Sequence, residues 1–155
     1  WALIVILIII ADQISKFIIV KNVEMGEMIE IIQNFFYITY IRNKGAAWSL
    51  FQNGRYFFIV MTIIVSIVLI YLLMKSKNRI FCLALSFILG GAIGNLIDRI
   101  IVGSVVDFLE FHFWSYRFPV FNVADTFITI GTILLAYYLI FIYKEPTKVT
   151  EMEGR

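Results

Sequence analysis

Two aspartates of this chain have the type and setting that acid–base chemistry needs. Asp107 lies among apolar residues in the segment VVDF, and Asp125 ends the segment FNVAD. Two carboxyl groups held close together share one proton, because like charges at short range resist double ionisation. The ionised member can then accept a proton from water, while the neutral member donates one to a carbonyl oxygen. The pair therefore predicts hydrolysis by two carboxylates without a metal ion, as in aspartic proteases.

Other hydrolytic chemistries lack the residues they require. A serine triad would have to use His112, the one histidine, and no G-x-S-x-G turn occurs. One histidine and one cysteine make a poor zinc site, and H-E-x-x-H is missing. Ser15 and Lys16 are neighbours whose side chains diverge by about 100° on a helix, which excludes a dyad. We therefore expect neither a metal nor a cofactor.

The elements that position these aspartates must lie in a membrane. The 155 residues are 61% hydrophobic and 15% charged, with a mean hydropathy of +0.91. A soluble domain is roughly 45–50% apolar and about 25% charged, so a water-soluble enzyme is excluded. The net charge is +2, without a dense run of Lys and Arg, so we expect no nucleic-acid partner.

Four stretches reach the roughly 20 apolar residues that cross a bilayer, and we interpret them as helices because backbone groups in lipid must be satisfied internally. They are residues 1–20, 56–74, 80–102 and 126–143. We expect one integral membrane domain over 1–155, mainly α-helical with a small β element, and a monomer. The first residue is Trp1, so we expect the natural chain to begin upstream, and we interpret the first stretch as a retained helix rather than a signal peptide.

Basic residues predict the orientation of these helices. The short connection 75–79, KSKNR, carries three basic residues and is therefore placed in the cytoplasm, together with both termini. The longer connections then face outward. Within them, residues 28–41 have the composition of a strand or a hairpin, and the aromatic residues of 108–121 suit an interfacial segment on the outer membrane surface. We expect both segments to lie on the outer membrane surface.

This topology gathers the polar residues at the outer boundary, where ionisable groups indicate function. The structural alternatives stay open. Asn122 and Asp125 have the spacing of a helix N-cap with an acid in the first turn. Asp12 and Lys16, four residues apart, fit a structural ion pair, and Asp98 and Arg99 fit a helix end at the water boundary.

Three further features have structural explanations. Gly90 and Gly94 form the small-xxx-small pattern of closely packed helices. His112 stands among aromatic residues and suits an interfacial position. Cys82 lies inside the third span, where a thiol is usually inert.

The polar blocks closely resemble those of the bacterial lipoprotein signal peptidases, the signal peptidase II family. The matching blocks, in order, are DQISK at 12–16, RNKGAA at 42–47, GAIGNLIDR at 91–99, VVDF at 105–108 and FNVAD at 121–125. The resemblance covers nearly the whole chain. It is carried by the order of five blocks on four spans rather than by any single block.

The resemblance implies an aspartyl endopeptidase of the bacterial cytoplasmic membrane, with four transmembrane helices and an outer β-cradle. It implies cleavage of diacylglyceryl-modified prolipoproteins before the lipobox cysteine, with membrane lipids as further partners. Asp107 and Asp125 would form the catalytic dyad. By the same resemblance, Asn43 and Arg99 would contact the substrate backbone, Asn95 and Asn122 would position the dyad or substrate, and Asp12, Lys16 and Asp98 would be architectural.

Within the dyad we predict Asp125 as the ionised base, since a helix N-terminus favours negative charge, and Asp107 as the neutral acid. The rival interpretation is a small membrane carrier or ion pathway in which Asp12, Lys16 and Asp98 relay charge. A pathway needs polar residues at many depths. The second span has no charged residue, and the fourth is uncharged after Asp125, which argues against a carrier.

Overall fold

The computed structural model describes residues 1–45 and 54–143. The end of the RNKGAA block, at 46–47, and the basic tail after residue 143 lie outside these residues. The elements are α1 (Ala2–Asn22), β1 (Met28–Ile32), β2 (Phe36–Asn43), α2 (Arg55–Lys75), α3 (Arg79–Ile101), β3 (Val105–Phe113), β4 (Tyr116–Arg117) and α4 (Val123–Tyr137), which continues as one π-helical turn over Tyr138–Ile142.

Each helix is long and apolar enough to cross a membrane. Their lengths are 21, 21, 23 and, with the π-helical turn, 20 residues. The predicted spans 1–20, 56–74 and 80–102 match α1, α2 and α3 to within two residues at each end. The fourth helix begins at Val123, three residues before the predicted 126, because Asn122 supplies its N-cap. This earlier start places Asp125 inside the first helical turn.

A four-stranded antiparallel sheet, in the order β1-β2-β3-β4, joins one end of the helices. Of the two alternatives predicted for 28–41, a strand or a hairpin, the hairpin is confirmed: β1 and β2 pair antiparallel. The composition of the aromatic stretch 108–121 predicts a separate surface segment, and here the structure differs. Most of it lies in β3 and β4, because its alternating side chains suit two faces of a strand and β2 offers an edge to pair with.

A β-bulge in β2 decides which face of the sheet Asn43 occupies. Ile38 pairs with Leu109 and Ile41 with Asp107, so β2 has one more residue than β3 between these pairs. The extra residue reverses the alternation of side chains beyond it. Asn43, five residues after Ile38, therefore lies on the same face as Ile38 and Asp107.

Helix α3 is the centre of the bundle and packs against each of the other three helices. Gly90 and Gly94 face α1, and the close helix packing that their spacing predicts is confirmed: a Cβ at Gly90 would come within 2.9 Å of Ile8. On another side of α3, a Cβ at Gly91 would overlap the backbone of Ala124 in α4. These close approaches bring the polar residues of α1, α3 and α4 together.

The buried apolar residues of the described ranges form two clusters. One lies between the C-terminal end of α1 and the sheet, and the other lies among the helices. The first consists of Ile19, Val23, Tyr40, Val106 and Phe108, and the second of Val5, Leu69, Leu85 and Leu89. The first cluster fixes the sheet, and with it Asp107, to the end of α1.

Candidate active site

The predicted site residues come together at the end of the helices that carries the sheet. Asp107 comes from β3 and Asp125 from the first turn of α4. Both line one cavity of about 470 Å³. Its described lining also includes three other predicted site residues, Asn43 of β2 and Asn95 and Arg99 of α3. Asn122 lies behind them, fully buried.

Asn122 caps α4 and at the same time forms hydrogen bonds with both aspartates. Its Oδ1 accepts from the backbone N–H of Asp125 at 2.9 Å, and the Asp125 carboxylate accepts from the backbone N–H of Asn122 at 3.2 Å. This capping box uses the oxygen of the Asn122 amide and leaves its NH2 group available. That group donates to Oδ1 of Asp107 at 2.6 Å and to Oδ1 of Asn95 at 3.2 Å. The capping alternative is therefore confirmed together with a direct contact to Asp107.

Asp107 is almost completely buried and accepts two amide hydrogen bonds. Besides the bond from Asn122, its Oδ2 accepts from Nδ2 of Asn43 at 3.0 Å. Burial and, to a smaller extent, the negative charge of Asp125 raise the pKa of Asp107 to about 7, whereas the two asparagine donors act in the opposite direction. The carboxyl group of Asp107 is thus able to hold a proton near neutral pH.

Asp125 has a different set of donors. Its Oδ1 accepts from Nδ2 of Asn95 at 2.8 Å, and its Oδ2 accepts from the backbone of Asn122. Its position in the first turn of α4 adds the partial positive charge of the helix N-terminus. The two aspartates therefore face one cavity with separate sets of hydrogen bonds.

Arg99 brings a positive charge to the wall of the same cavity. Its guanidinium donates to the backbone carbonyls of Asn95 and Gly45, each at 3.3 Å, and lies over the ring of Phe58 at 5.0 Å. These contacts tie the end of α3 to the segment after β2. The side chain lies where it can meet an acceptor of a bound ligand.

Beneath the aspartates lies a buried ionic cluster of the three residues predicted as architectural. Nζ of Lys16 lies 2.9 Å from Oδ2 of Asp12 and 2.9 Å from Oδ2 of Asp98. The predicted ion pair of Asp12 and Lys16 is confirmed. The alternative that Asp98 merely ends a helix at the water boundary is wrong, because Asp98 is buried and also accepts from the backbone N–H of Val106 at 3.2 Å.

The sequence analysis did not identify two residues that contribute hydrogen bonds to this region. Nε2 of Gln13 donates to Oδ1 of Asp98 at 3.0 Å and to the carbonyl of Gly94 at 3.1 Å. Its polarity within an apolar span was the available signal.

The second residue is Arg55, at the start of α2. It donates to the carbonyls of Arg99 and Ile100, each at 2.8 Å. An arginine at a helix start gives no hint that it caps another helix.

His112 and Cys82 take structural positions. Nε2 of His112 lies 2.7 Å from Oε1 of Glu110, and the ring packs 4.3 Å from the ring of Tyr37. Glu110 is three residues beyond Asp107 on β3 and so faces the opposite side of the sheet. Cys82 is buried near the start of α3. Neither residue belongs to the described lining of the cavity that holds the aspartates.

The rest of the cavity wall is mainly apolar. It includes Val105, Phe118 and Phe121 on the sheet side and Ile128 and Ile130 on α4. The hydroxyl groups of α4 nearby are turned back onto their own helix, as in the bond from Thr129 to the carbonyl of Asp125 at 2.8 Å. Among the described lining residues, the polar side chains left to meet a ligand are therefore the predicted site residues, and the other surfaces are mainly apolar.

Comparisons with known proteins agree on one family. The sequence profile of signal peptidase II matches residues 4–141. A lipoprotein signal peptidase of Listeria monocytogenes serotype 4a is 45% identical over 148 residues, which cover 94% of this chain and 96% of that protein. One of Enterococcus faecalis is 49% identical over 131 residues, covering 83% and 80% of the two chains.

The fold agrees as well. A bacterial membrane enzyme solved by the in meso method at 2.3 Å superposes with a TM-score of 0.85 and 38% identity, over 99% of this chain and 93% of that one. A second, solved at 1.9 Å, gives a TM-score of 0.83 and 40% identity over 92% and 93%. The four apolar helices and the buried polar site thus belong to a multi-pass membrane peptidase, and the chain is a member of the signal peptidase II family.

Proposed function

We propose that this lipoprotein signal peptidase cuts diacylglyceryl-modified prolipoproteins before the lipobox cysteine, with Asp107 and Asp125 as its catalytic dyad. The observation that carries the proposal is the meeting of these two carboxylates, from β3 and α4, on the wall of one cavity. Each is held by two hydrogen-bond donors of the protein. The protein thus holds both carboxylates in place before a substrate binds, as efficient acid–base catalysis requires.

The dyad activates a water molecule. The ionised aspartate accepts a proton as the water oxygen attacks the carbonyl carbon of the scissile peptide, while the neutral aspartate donates a proton to the carbonyl oxygen. The tetrahedral intermediate then collapses: the aspartate that acted as the acid takes back a proton from one hydroxyl group as the C=O bond re-forms, the C–N bond breaks, and the leaving nitrogen receives the proton held by the base. A carboxylic acid, an amine and the starting protonation state of the pair result.

We assign the base to Asp125 and the acid to Asp107. The helix N-terminus and the amide of Asn95 stabilise negative charge on Asp125. The buried position of Asp107, with a pKa raised to about 7, supports a neutral carboxyl group there. The two groups titrate as a coupled pair, so the assignment concerns the dominant protonation state.

The cavity suits an extended apolar peptide. Arg99 and Asn43, which line it, are the residues that we propose to hold the substrate backbone. The apolar walls would take the signal-peptide side chains. Since the substrate is anchored by acyl chains in the outer leaflet, a dyad at the sheet end of the helices would meet the scissile bond at its own depth.

We further propose that the protein lies in the bacterial inner membrane and that the end of the helix bundle carrying the sheet faces away from the cytoplasm. The basic connection 75–79 lies at the opposite end of the bundle, between α2 and α3. The test introduces one cysteine at either end, Ser115→Cys or Ser76→Cys, in a Cys82→Ala background. In intact cells, a membrane-impermeant maleimide should label the Ser115→Cys protein and leave the Ser76→Cys protein unlabelled. Labelling of the Ser76→Cys protein alone would contradict this orientation.

The test of the dyad is cleavage of a purified diacylglyceryl-modified prolipoprotein by the wild type and by Asp107→Asn and Asp125→Asn. Both substitutions should abolish cleavage without loss of folded protein. Glu110→Gln is the matched control, because it also neutralises a buried carboxylate of β3, on the other face of the sheet. We expect it to retain cleavage.

The other outcomes are informative. Cleavage that survives in either aspartate variant would mean that the pair is misidentified. Equal cleavage of an unlipidated prolipoprotein would contradict the proposed requirement for the diacylglyceryl group. A wild type that leaves intact lipidated substrate uncut would contradict the proposed function itself.

A further inference from the structure

Lys16 lies one layer beneath the aspartates, with only 3% of its surface exposed. Besides its contacts to Asp12 and Asp98, its Nζ donates to Oδ1 of Asn95 at 2.9 Å. Asn95 is the residue whose other amide atom reaches Asp125. A single side chain thus separates the ammonium group from a proposed catalytic carboxylate.

The orientation of the Asn95 amide follows from its three partners. Oδ1 accepts from Lys16 at 2.9 Å and from Asn122 at 3.2 Å, while Nδ2 donates to Asp125 at 2.8 Å. In the reversed orientation, the NH2 group would face an ammonium and a second NH2 group, and the oxygen would face a carboxylate. All three contacts would then be repulsive, because an ammonium has no acceptor and an ionised carboxylate has no donor.

We propose that Lys16 is a positioning residue of the reaction: its ammonium group fixes the amide orientation of Asn95, so that Asn95 donates to Asp125. The inference rests on the proposed function of Asp125 and goes beyond the architectural role that the resemblance implies for Lys16. Oδ1 of Asn95 also accepts from Nδ2 of Asn122, which in turn donates to Asp107, so the ammonium group orders one side-chain donor of each aspartate.

A purely structural role would leave a different signature. If Lys16 only neutralised Asp12 and Asp98, its removal would lower the amount of folded protein but not the turnover of the protein that remains folded. Gln13 offers a matched control for such a role. It donates to both Asp12 and Asp98, and its described hydrogen bonds do not include one to Asn95.

The kinetic test is a double-mutant cycle between Lys16→Met and Asn95→Ala, with turnover expressed per folded enzyme. We expect Lys16→Met to lower kcat by about tenfold or more, with KM changed less than about twofold, since a misoriented donor disturbs the reacting groups rather than the cavity. In the Asn95→Ala background the same substitution should change kcat by less than about twofold. Gln13→Met should keep the wild-type kcat.

Lys16→Met leaves two buried carboxylates without a cation, which threatens folding. The cycle is therefore repeated with the triple variant Asp12→Asn/Lys16→Met/Asp98→Asn in place of Lys16→Met. The cluster is then neutral, and the amide that replaces the Asp12 carboxylate keeps an oxygen for the backbone N–H of Ala124. The same non-additivity with Asn95→Ala is expected. Additive losses of kcat in either cycle would overturn the proposal.

A second measurement needs no substrate. In protein labelled with ¹⁵N-asparagine, the side-chain amide protons of Asn95 should exchange with solvent at least about tenfold faster once Lys16 is replaced, and at the wild-type rate in Gln13→Met. Unchanged exchange without Lys16 would overturn the proposal. If the wild type fails to cleave prolipoprotein, the proposed function fails, and this exchange rate still decides whether Lys16 fixes Asn95.

Discussion

The carboxylate of Asp12, in α1, accepts a hydrogen bond at 2.9 Å from the backbone N–H of Ala124, 112 positions later in the chain. Ala124 is the second residue of α4 and directly precedes Asp125. One oxygen of Asp12 thus satisfies a free donor of the α4 N-terminus, and the other binds Lys16. The first helix therefore holds the turn that carries Asp125.

Replacing Asp12 should separate these two contacts. Asp12→Ala removes both and leaves Lys16 with a single carboxylate partner, so we expect a loss of about 3 kcal/mol in unfolding free energy. Asp12→Asn keeps an acceptor for Ala124 and should lose clearly less. Unfolding in mixed micelles, followed by helix content, measures both variants. Equal losses would show that the hydrogen bond to Ala124 contributes little.

Gly94 should not tolerate a side chain. An added Cβ would lie 2.5 Å from Oδ2 of Asp12, which itself is fully buried and cannot move aside freely. Gly94→Ala is therefore expected to destabilise the protein by about 1–3 kcal/mol through overpacking, although alanine favours helices. The thermal midpoint of the purified variant tests this. A midpoint at or above that of the wild type would contradict the close approach.

Asn122 should show that capping and catalysis use different atoms of one amide. Asn122→Ser keeps an oxygen that can cap α4 but loses the NH2 group that binds Asp107, so stability should stay near that of the wild type. Cleavage should fall by about a hundredfold, the effect of removing one donor from a catalytic group. Asn122→Ala should in addition lose about 1 kcal/mol of stability. Normal cleavage by Asn122→Ser would exclude a role for the NH2 group.

The raised pKa of Asp107 gives the reaction a pH dependence with a defined sign. A carboxyl group with a pKa of about 7 is neutral below that pH and ionised above it. Because the proposed acid must carry a proton, kcat/KM should fall as pH rises through about 7. A profile between about pH 5 and 9 tests this, and a rise in kcat/KM across pH 7 would contradict the assignment.

Stability should follow the same titration. The folded state holds the Asp107 proton more tightly than the unfolded state, in which the pKa is near 3.8. The free energy of unfolding should therefore decrease as pH rises from about 4 to about 7, insofar as Asp107 determines it. Asp107→Asn should flatten this slope. If the free energy of unfolding depends equally steeply on pH in the variant, other titrating groups cause the dependence.

The parts of the fold that local sequence determines were predictable. Runs of about 20 apolar residues have few alternatives to helices, and the spacing of Asn122 and Asp125 is specific to a helix N-terminus. The ion pair of Asp12 and Lys16 follows from helix geometry alone. The gathering of the polar blocks followed from the alternation of spans across the membrane.

The remaining features depend on pairings between distant segments. Lys16 meets Asn95 across 79 positions, and no local period encodes that contact. The bulge between Ile38 and Ile41 depends on β3, whose own strand character was masked by its aromatic composition. Distant pairing also explains why Arg55 was missed, since its partners are the last carbonyls of another helix.

The order of the described elements repeats: α1-β1-β2-α2 is followed by α3-β3-β4-α4, and residues 76–78 connect the two halves. Both aspartates of the proposed dyad belong to the second half, whereas Lys16 and Asn43, which support it, belong to the first. Neither half holds a complete site. A chain divided at 76–78 is thus suited to fragment complementation, in which proteolysis reports directly on the association of two membrane hairpins.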